Sequence, residues 1–295
     1  MRKTSLLVLS AMMLLFGGNT FAQVVDDEPE GENLDSFYEL SNNNKAKKPF
    51  VYPYVRAADV VWKQRVWRLV DFREKMNQPF YYPTDSSQDT QGRVNLFTVL
   101  DRALREGTIK CYADDEFKEE ISYDSILAGA NGGHWTTIYE DDLDNPGETI
   151  EREEWVNEVM NPLDIKSMRI KEDWYVDKQR TVRDVRILGF ALILAKPGKN
   201  EGDPPQNYVL GWIRYNEPAV RNLLANNEIF NPKNDVDRRS YDDVFVKRLF
   251  TSYVYRTSNT YNRQIDRYLT GLDALLESQY IEDEIFNREQ DMWEY

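Results

Sequence analysis

The sequence predicts an α+β fold: an antiparallel meander of three or more strands, flanked by amphipathic helices and ending in a long C-terminal helix. Three observations carry that expectation. The run Val185–Leu194 is too long and too aliphatic for a half-exposed strand, so it reads as a central strand buried on both faces. Ser167–Val176 precedes it and Tyr208–Tyr215 follows it across short polar links, and short links between successive strands make antiparallel neighbours. Amphipathic stretches lie on both sides in sequence, and a sheet this small needs a cover on at least one face.

Taken in order, residues 1–22 read as an export leader. Met1-Arg2-Lys3 is basic, Leu6–Phe16 is apolar but too short to span a bilayer, and Thr20-Phe21-Ala22 offers a cut before Gln23. No Cys stands near that cut, so a diacylated lipid anchor is not expected. Residues 23–50 read as a flexible polar arm. Pro49–Tyr54 is extended and aromatic, suited to docking on its own chain or on a neighbour. Residues 51–160 read as a mainly helical region. Asp59 to Met76 is expected to be a helix, because Val55, Trp62, Val66, Leu69 and Val70 recur at helical spacing and Pro79 and Pro83 follow. Asn95 suits the N-cap of a helix over Leu96–Arg105 that stops at Gly107. Thr108–Tyr112 reads as a short strand. Asp114-Asp115-Glu116 is expected to open a third helix reaching Leu127, its acids facing the positive helix start. Trp135–Tyr139 reads as a strand, Glu140–Glu148 as an acidic turn, and Ile150–Met160 is ambiguous, with a helix as one reading.

Residues 161–262 form the sheet-centred region. Gly189 lies inside the central strand and marks a bulge or a close backbone approach. Lys196-Pro197-Gly198 stops that strand and Asn200–Gln206 makes a polar loop. Pro218 suits the first position of a helix over Ala219–Leu224. Asn226–Arg239 reads as a polar loop and Tyr241–Tyr255 as a helix. Residues 263–295 read as an acidic helix and tail, with Ile265, Tyr268, Leu269, Leu272, Leu275 and Leu276 on its apolar face and Trp293 at its tip.

The 295 residues, 41% hydrophobic and 30% charged, are enough for one large or two small domains. The formal net charge is −14, and removing Arg2 and Lys3 with the leader takes away two positive charges and leaves −16. That balance argues against nucleic acid, whose phosphates need a basic face, and against adhesion to an anionic membrane. Cys111 is the only cysteine, so no internal disulfide forms, and it reads as a buried inert thiol.

His134 is the only histidine, so any Ser-His-Asp or Cys-His arrangement must use it. No Gly-x-Ser-x-Gly elbow accompanies it, and one His with one Cys cannot build a structural zinc site. Asp142, Asp144, Gly147 and Glu153 fall near the spacing of a calcium loop, but Pro146 occupies a ligand position, so a solvated turn competes with that reading. Paired carboxylates such as Asp114/Asp115, Asp242/Asp243 and Glu282/Asp283/Glu284 would serve a glycosidase-like hydrolase, yet in so acidic a chain they also read as helix starts and solvated faces. No glycine-rich phosphate loop is present. No catalytic residue, cofactor or metal site is nominated. What remains is a binding signature: Trp62, Arg65, Trp67 and Arg68 lie within two turns of one expected helix, and Trp and Arg dominate interface hot spots. Those four and Trp293 are the candidate partner-binding residues. The competing reading makes both tryptophans core and pairs the arginines with the chain's own acids. The expected basic helix and the acidic C-terminal helix also allow head-to-tail contact between copies, which builds rings or filaments.

The segment Asp59–Asn77 with Tyr82-Pro83, then Asn95-Leu96-Phe97, Val185-Arg186-Ile187-Leu188-Gly189 and Gly211-Trp212-Ile213, resembles the GldN/PorN family, and the resemblance extends over essentially the whole chain after the leader. It implies a non-enzymatic periplasmic component of type IX secretion and gliding motility in Bacteroidota. It further implies a ring formed with an outer-membrane lipoprotein of the GldK/PorK type, coupled to the periplasmic part of an inner-membrane GldM/PorM motor component.

Overall fold

The computed structural model describes residues 47–84, 93–131, 134–141, 149–156, 160–180, 182–196, 206–231, 233–234 and 237–291. The leader, most of the polar arm, the acidic turn around Asp142–Gly147 and Trp293 lie outside the described residues. In chain order the elements are β1 (Val60–Asp71), α1 (Gln78–Tyr81), α2 (Leu96–Arg105), β2 (Cys111–Tyr112), β3 (Glu120–Ile121), α3 (Tyr123–Asn131), β4 (His134–Asp141), β5 (Thr149–Val156), β6 (Ile165–Asp177), β7 (Val182–Lys196), β8 (Gln206–Arg214), α4 (Pro218–Asn226), β9 (Glu228–Ile229), β10 (Arg239–Ser240), α5 (Tyr241–Val246), β11 (Tyr253–Thr257) and α6 (Leu272–Asp291).

The centre is a seven-stranded antiparallel sheet in the order β11-β1-β6-β7-β8-β2-β3. β4 pairs with β5, and β9 with β10, as two separate two-stranded ladders. The expected meander is β6-β7-β8. Gly189 is both a bulge site and a close approach. Lys171 pairs with Gly189 while Glu172 pairs with Ile187, so Leu188 is the extra residue. A Cβ on Gly189 would lie 2.6 Å from the Ile213 carbonyl oxygen and against the Phe117 ring.

The long helix expected over Asp59–Met76 is instead β1, which pairs with β6 from Val60 to Asp71. Its valines and tryptophans favour the strand. Because both faces of β1 are covered, the apolar residues do not alternate cleanly, and the mixed pattern mimics a helical stripe. Three further segments differ. Asp114–Glu119 is a loop, with Phe117 at φ 58° and Asp115 used to receive a side chain of β1, and the helix begins only at Tyr123. The helix from Tyr241 ends at Val246, where Arg248 turns at φ 52°, and Tyr253–Thr257 joins the sheet as an edge strand. Thr149–Val156 is a strand, resolving the ambiguity of that stretch through its eight-residue ladder with His134–Asp141. The C-terminal helix starts at Leu272 after a 3-10 turn, Ile265–Arg267, and Gly271 at φ 61°. The Asn226–Arg239 loop contains β9 and the start of β10.

Other elements follow their local signals. Asn95 caps α2, its side chain accepting from Thr98 N at 2.7 Å. Pro218 opens α4. Ser240 and Asp243 form a reciprocal capping box at α5.

One face of the sheet carries the main core. Val70, Met168, Ile170, Phe190, Leu192 and Ile213 pack beneath the short helices, and the Phe245 ring lies 5.4 Å from Phe190 and 5.6 Å from Phe80. Further along that face, Val66 and Val254 are covered by Ile265, Ile281 and Ile285 of the C-terminal segment. The opposite face bears Trp67, Tyr112, Ala191 and Trp212, with Phe117, Val209 and Tyr255 beside them. No described helix is long and apolar enough to cross a membrane.

Candidate functional site

The site begins with the alternation of β1. Even-numbered residues face the C-terminal helix and odd-numbered residues face the other side, so the candidate cluster divides in two. Trp62 packs half-buried on the Val66–Ile281 cluster. Arg68, buried, donates through Nε to Ser252 Oγ at 2.7 Å and through Nη2 to the Ser252 carbonyl at 3.1 Å and to Glu282. These two residues hold α6 to the sheet.

Arg65 and Trp67 stand on the opposite face. Arg65 grips Asp173 of β6 with Nε at 2.7 Å and Nη2 at 3.1 Å, and Lys63 Nζ approaches the same carboxylate at 2.6 Å. Burial would raise the Asp173 carboxyl, but hydrogen bonds from Arg65 and Lys63 hold it below the usual range. Trp67, 5% exposed, donates Nε1 to Asp115 Oδ2 at 2.8 Å. Lys171 donates Nζ to the Asp115 carbonyl and lies 3.4 Å from its carboxylate. Burial pushes the Lys171 ammonium down and Asp115 pulls it back up. Arg256 lies over the Trp67 ring at 4.1 Å.

These side chains floor a groove enclosing about 630 Å³, walled by the 114–118 loop on one side and Asn262 on the other, with Leu188, Arg214 and Asn216 at its end. The groove is polar and mainly basic. Arg65 and Trp67 were visible as candidates from residue type alone. Lys171, Asp173, Arg214 and Arg256 were not, because they come from three other strands. The one available signal was the charge triplet Lys171-Glu172-Asp173 inside a strand buried on both faces, where charges must find partners.

A second polar cluster anchors residues 47–54. Arg221 binds Asp242 at 2.6 and 3.0 Å, and Tyr215 donates to the same carboxylate at 2.8 Å. Phe50 N donates to Asp242 at 3.1 Å while Arg221 returns a bond to the Phe50 carbonyl at 2.7 Å. Arg186 stacks over Tyr52 at 4.2 Å and donates to the Pro53 carbonyl. The aromatic segment thus docks on its own chain.

The carboxylate pairs noted in the sequence are drawn into structural bonds: Asp115 with Trp67 and Lys171, Asp242 with Arg221, Asp243 in the α5 cap, and Glu282 with Arg68. His134 opens β4 opposite Val156. Cys111 is a buried free thiol pushed up to about 11 by burial. Among the described residues no three His, Cys, Asp or Glu side chains come together as a metal site.

No curated protein matches the chain. The family described as "Gliding motility associated protein GldN" matches over residues 55–294, from the segment before β1 to beyond α6. A match over most of the chain shows the family: this protein belongs to the GldN family and takes part in gliding motility and type IX secretion.

Proposed function

We infer that the protein is a non-enzymatic periplasmic scaffold subunit of the type IX secretion and gliding machinery. It forms a ring with an outer-membrane lipoprotein of the GldK/PorK type and couples to the periplasmic domain of a GldM/PorM motor component. The observation that carries this reading is the family match across residues 55–294. Two features support it. The leader-like start at Met1–Ala22 fits export, and no Cys stands near the expected cut before Gln23. The buried charges are committed to holding elements together, as a load-transmitting part requires.

The test is the mass of the purified full chain with and without the lipoprotein partner, by light scattering and electron microscopy of the mixture. A large closed assembly that forms only with the partner is expected. A chain that stays monomeric beside that lipoprotein overturns the reading.

A further inference from the structure

A transverse row, Arg256, Trp67, Lys171, Gly189 and Arg214, crosses five neighbouring strands; Gly189 lies beneath the Phe117 ring and the other four line the groove. Neighbouring strands lie about 4.8 Å apart, so the row runs roughly 19 Å from end to end. Its three cations are not equivalent. Lys171, in the middle, is answered by Asp115. Arg256, at one end, lies over Trp67 and donates to the neutral amide oxygen of Asn262, and among the described residues it has no carboxylate partner and its buried Nε has no acceptor. Arg214, at the other end, is exposed and has no carboxylate partner among the described residues. The groove is lined by five bases, Arg65, Lys118, Lys171, Arg214 and Arg256, and two acids, Asp115 and Glu116, in a chain of 51 acids against 37 bases.

We propose that this groove docks an acidic, extended segment of a partner protein, with carboxylates reaching Arg256 and Arg214 at its two ends. The inference rests on the reading that this protein works by holding other proteins. An extended chain rises about 3.3 Å per residue, so about six residues bridge the row. Guanidinium groups take carboxylates in a two-point fork, which sets direction as well as charge. Asp115 and Glu116 on the groove wall disfavour dense phosphate, as in nucleic acid, and leave room for carboxylates spaced along a peptide. In an acidic protein such a basic cleft focuses the field on one place and steers an acidic partner to it.

The experiment uses the full chain and a fluorescein-labelled octaglutamate peptide followed by anisotropy. Saturable binding that weakens as salt rises from about 50 to 300 mM is expected. Arg214→Glu lowers affinity by about tenfold or more, and Arg214→Lys by about threefold or less, since charge is reversed in one and kept in the other. Both variants keep the wild-type melting temperature, because Arg214 is exposed. The proposal fails if octaglutamate does not bind up to about 1 mM, where binding free energy is already small. It also fails if Arg214→Glu binds equally well, or if inorganic phosphate displaces the peptide at equal concentration. Assembly with the lipoprotein is measured in parallel. Full-size assembly without octaglutamate binding discards the groove and keeps the scaffold, and binding without assembly does the reverse.

Discussion

Gly189 is the residue on which the back of the sheet closes. It pairs with Lys171 on one side and Arg214 on the other, and the Phe117 ring leans on the space its missing side chain leaves. Phe117 reaches it only because its backbone turns at φ 58°. Gly189→Ala is expected to lower stability by about 1–3 kcal/mol, the usual cost of overpacking. Removing the ring as well, in Gly189→Ala with Phe117→Ala, should not restore it, because the Ile213 carbonyl oxygen still lies 2.6 Å from the new methyl. Urea unfolding of Gly189→Ala, of Phe117→Ala and of the double variant decides this, and full rescue of Gly189→Ala by Phe117→Ala refutes the backbone argument. Cys111 offers a second check at this scale. With its thiol pushed up to about 11 by burial, it should label with iodoacetamide at neutral pH only as fast as the protein opens. Rapid labelling of folded protein contradicts that burial.

At the scale of the element, α6 covers the edge that β11 would otherwise leave open. Ser278, buried, accepts the Val254 N–H at 2.8 Å, a donor that points away from β1 and has no strand to meet. Ser278→Ala strands that donor and should cost about 1–3 kcal/mol. The same helix is held by Arg68 and packed against Trp62. Trp62→Ala should therefore lower the melting temperature of the isolated subunit, with a loss of about 2–4 kcal/mol for a half-buried aromatic. If Trp62→Ala instead leaves the melt unchanged and only weakens assembly, its packing under α6 is not what holds it. The meander was legible because Val185–Leu194 is apolar over a whole strand, and α2 because Asn95 and Gly107 bracket it. β1 was not, since burial on both faces removes the alternation that distinguishes a strand from a helix. Half of the groove was legible for the same reason that half was hidden. Residue type marks Arg65 and Trp67, but register, which a single chain does not announce, brings Lys171, Arg214 and Arg256 beside them.

At the scale of the molecule, buried phenols set the alkaline limit of the fold. Burial raises Tyr215 and Tyr241 far above their ordinary value, and pushes Tyr255 up to about 12. Each is an acid that the folded state keeps protonated more tightly than the unfolded chain does. Its contribution is therefore complete below the ordinary value of 10.0 and is lost as pH rises above it. Each such group costs about 1.4 kcal/mol per pH unit, so Tyr215 and Tyr241 together remove about 3 kcal/mol for each unit above pH 10. Lys171 works in the opposite direction. Its depressed ammonium penalises the fold at lower pH, and that penalty is relieved as pH approaches its ordinary value of 10.5. The opposition ends there, so the net curve turns down steeply between about pH 10 and 11. At the acid end the sign reverses: Asp173 and Asp243 are held below their ordinary value of 3.8, and their contribution falls away as pH drops through it. Melting temperature against pH should thus show a broad plateau with an abrupt alkaline edge. Tyrosinate absorbance at 295 nm should rise near pH 10 for exposed rings, and for Tyr215 and Tyr241 only with unfolding. If all 18 tyrosines ionise near pH 10 in protein that still melts cooperatively, the phenols are not sealed in the core and the edge has another cause.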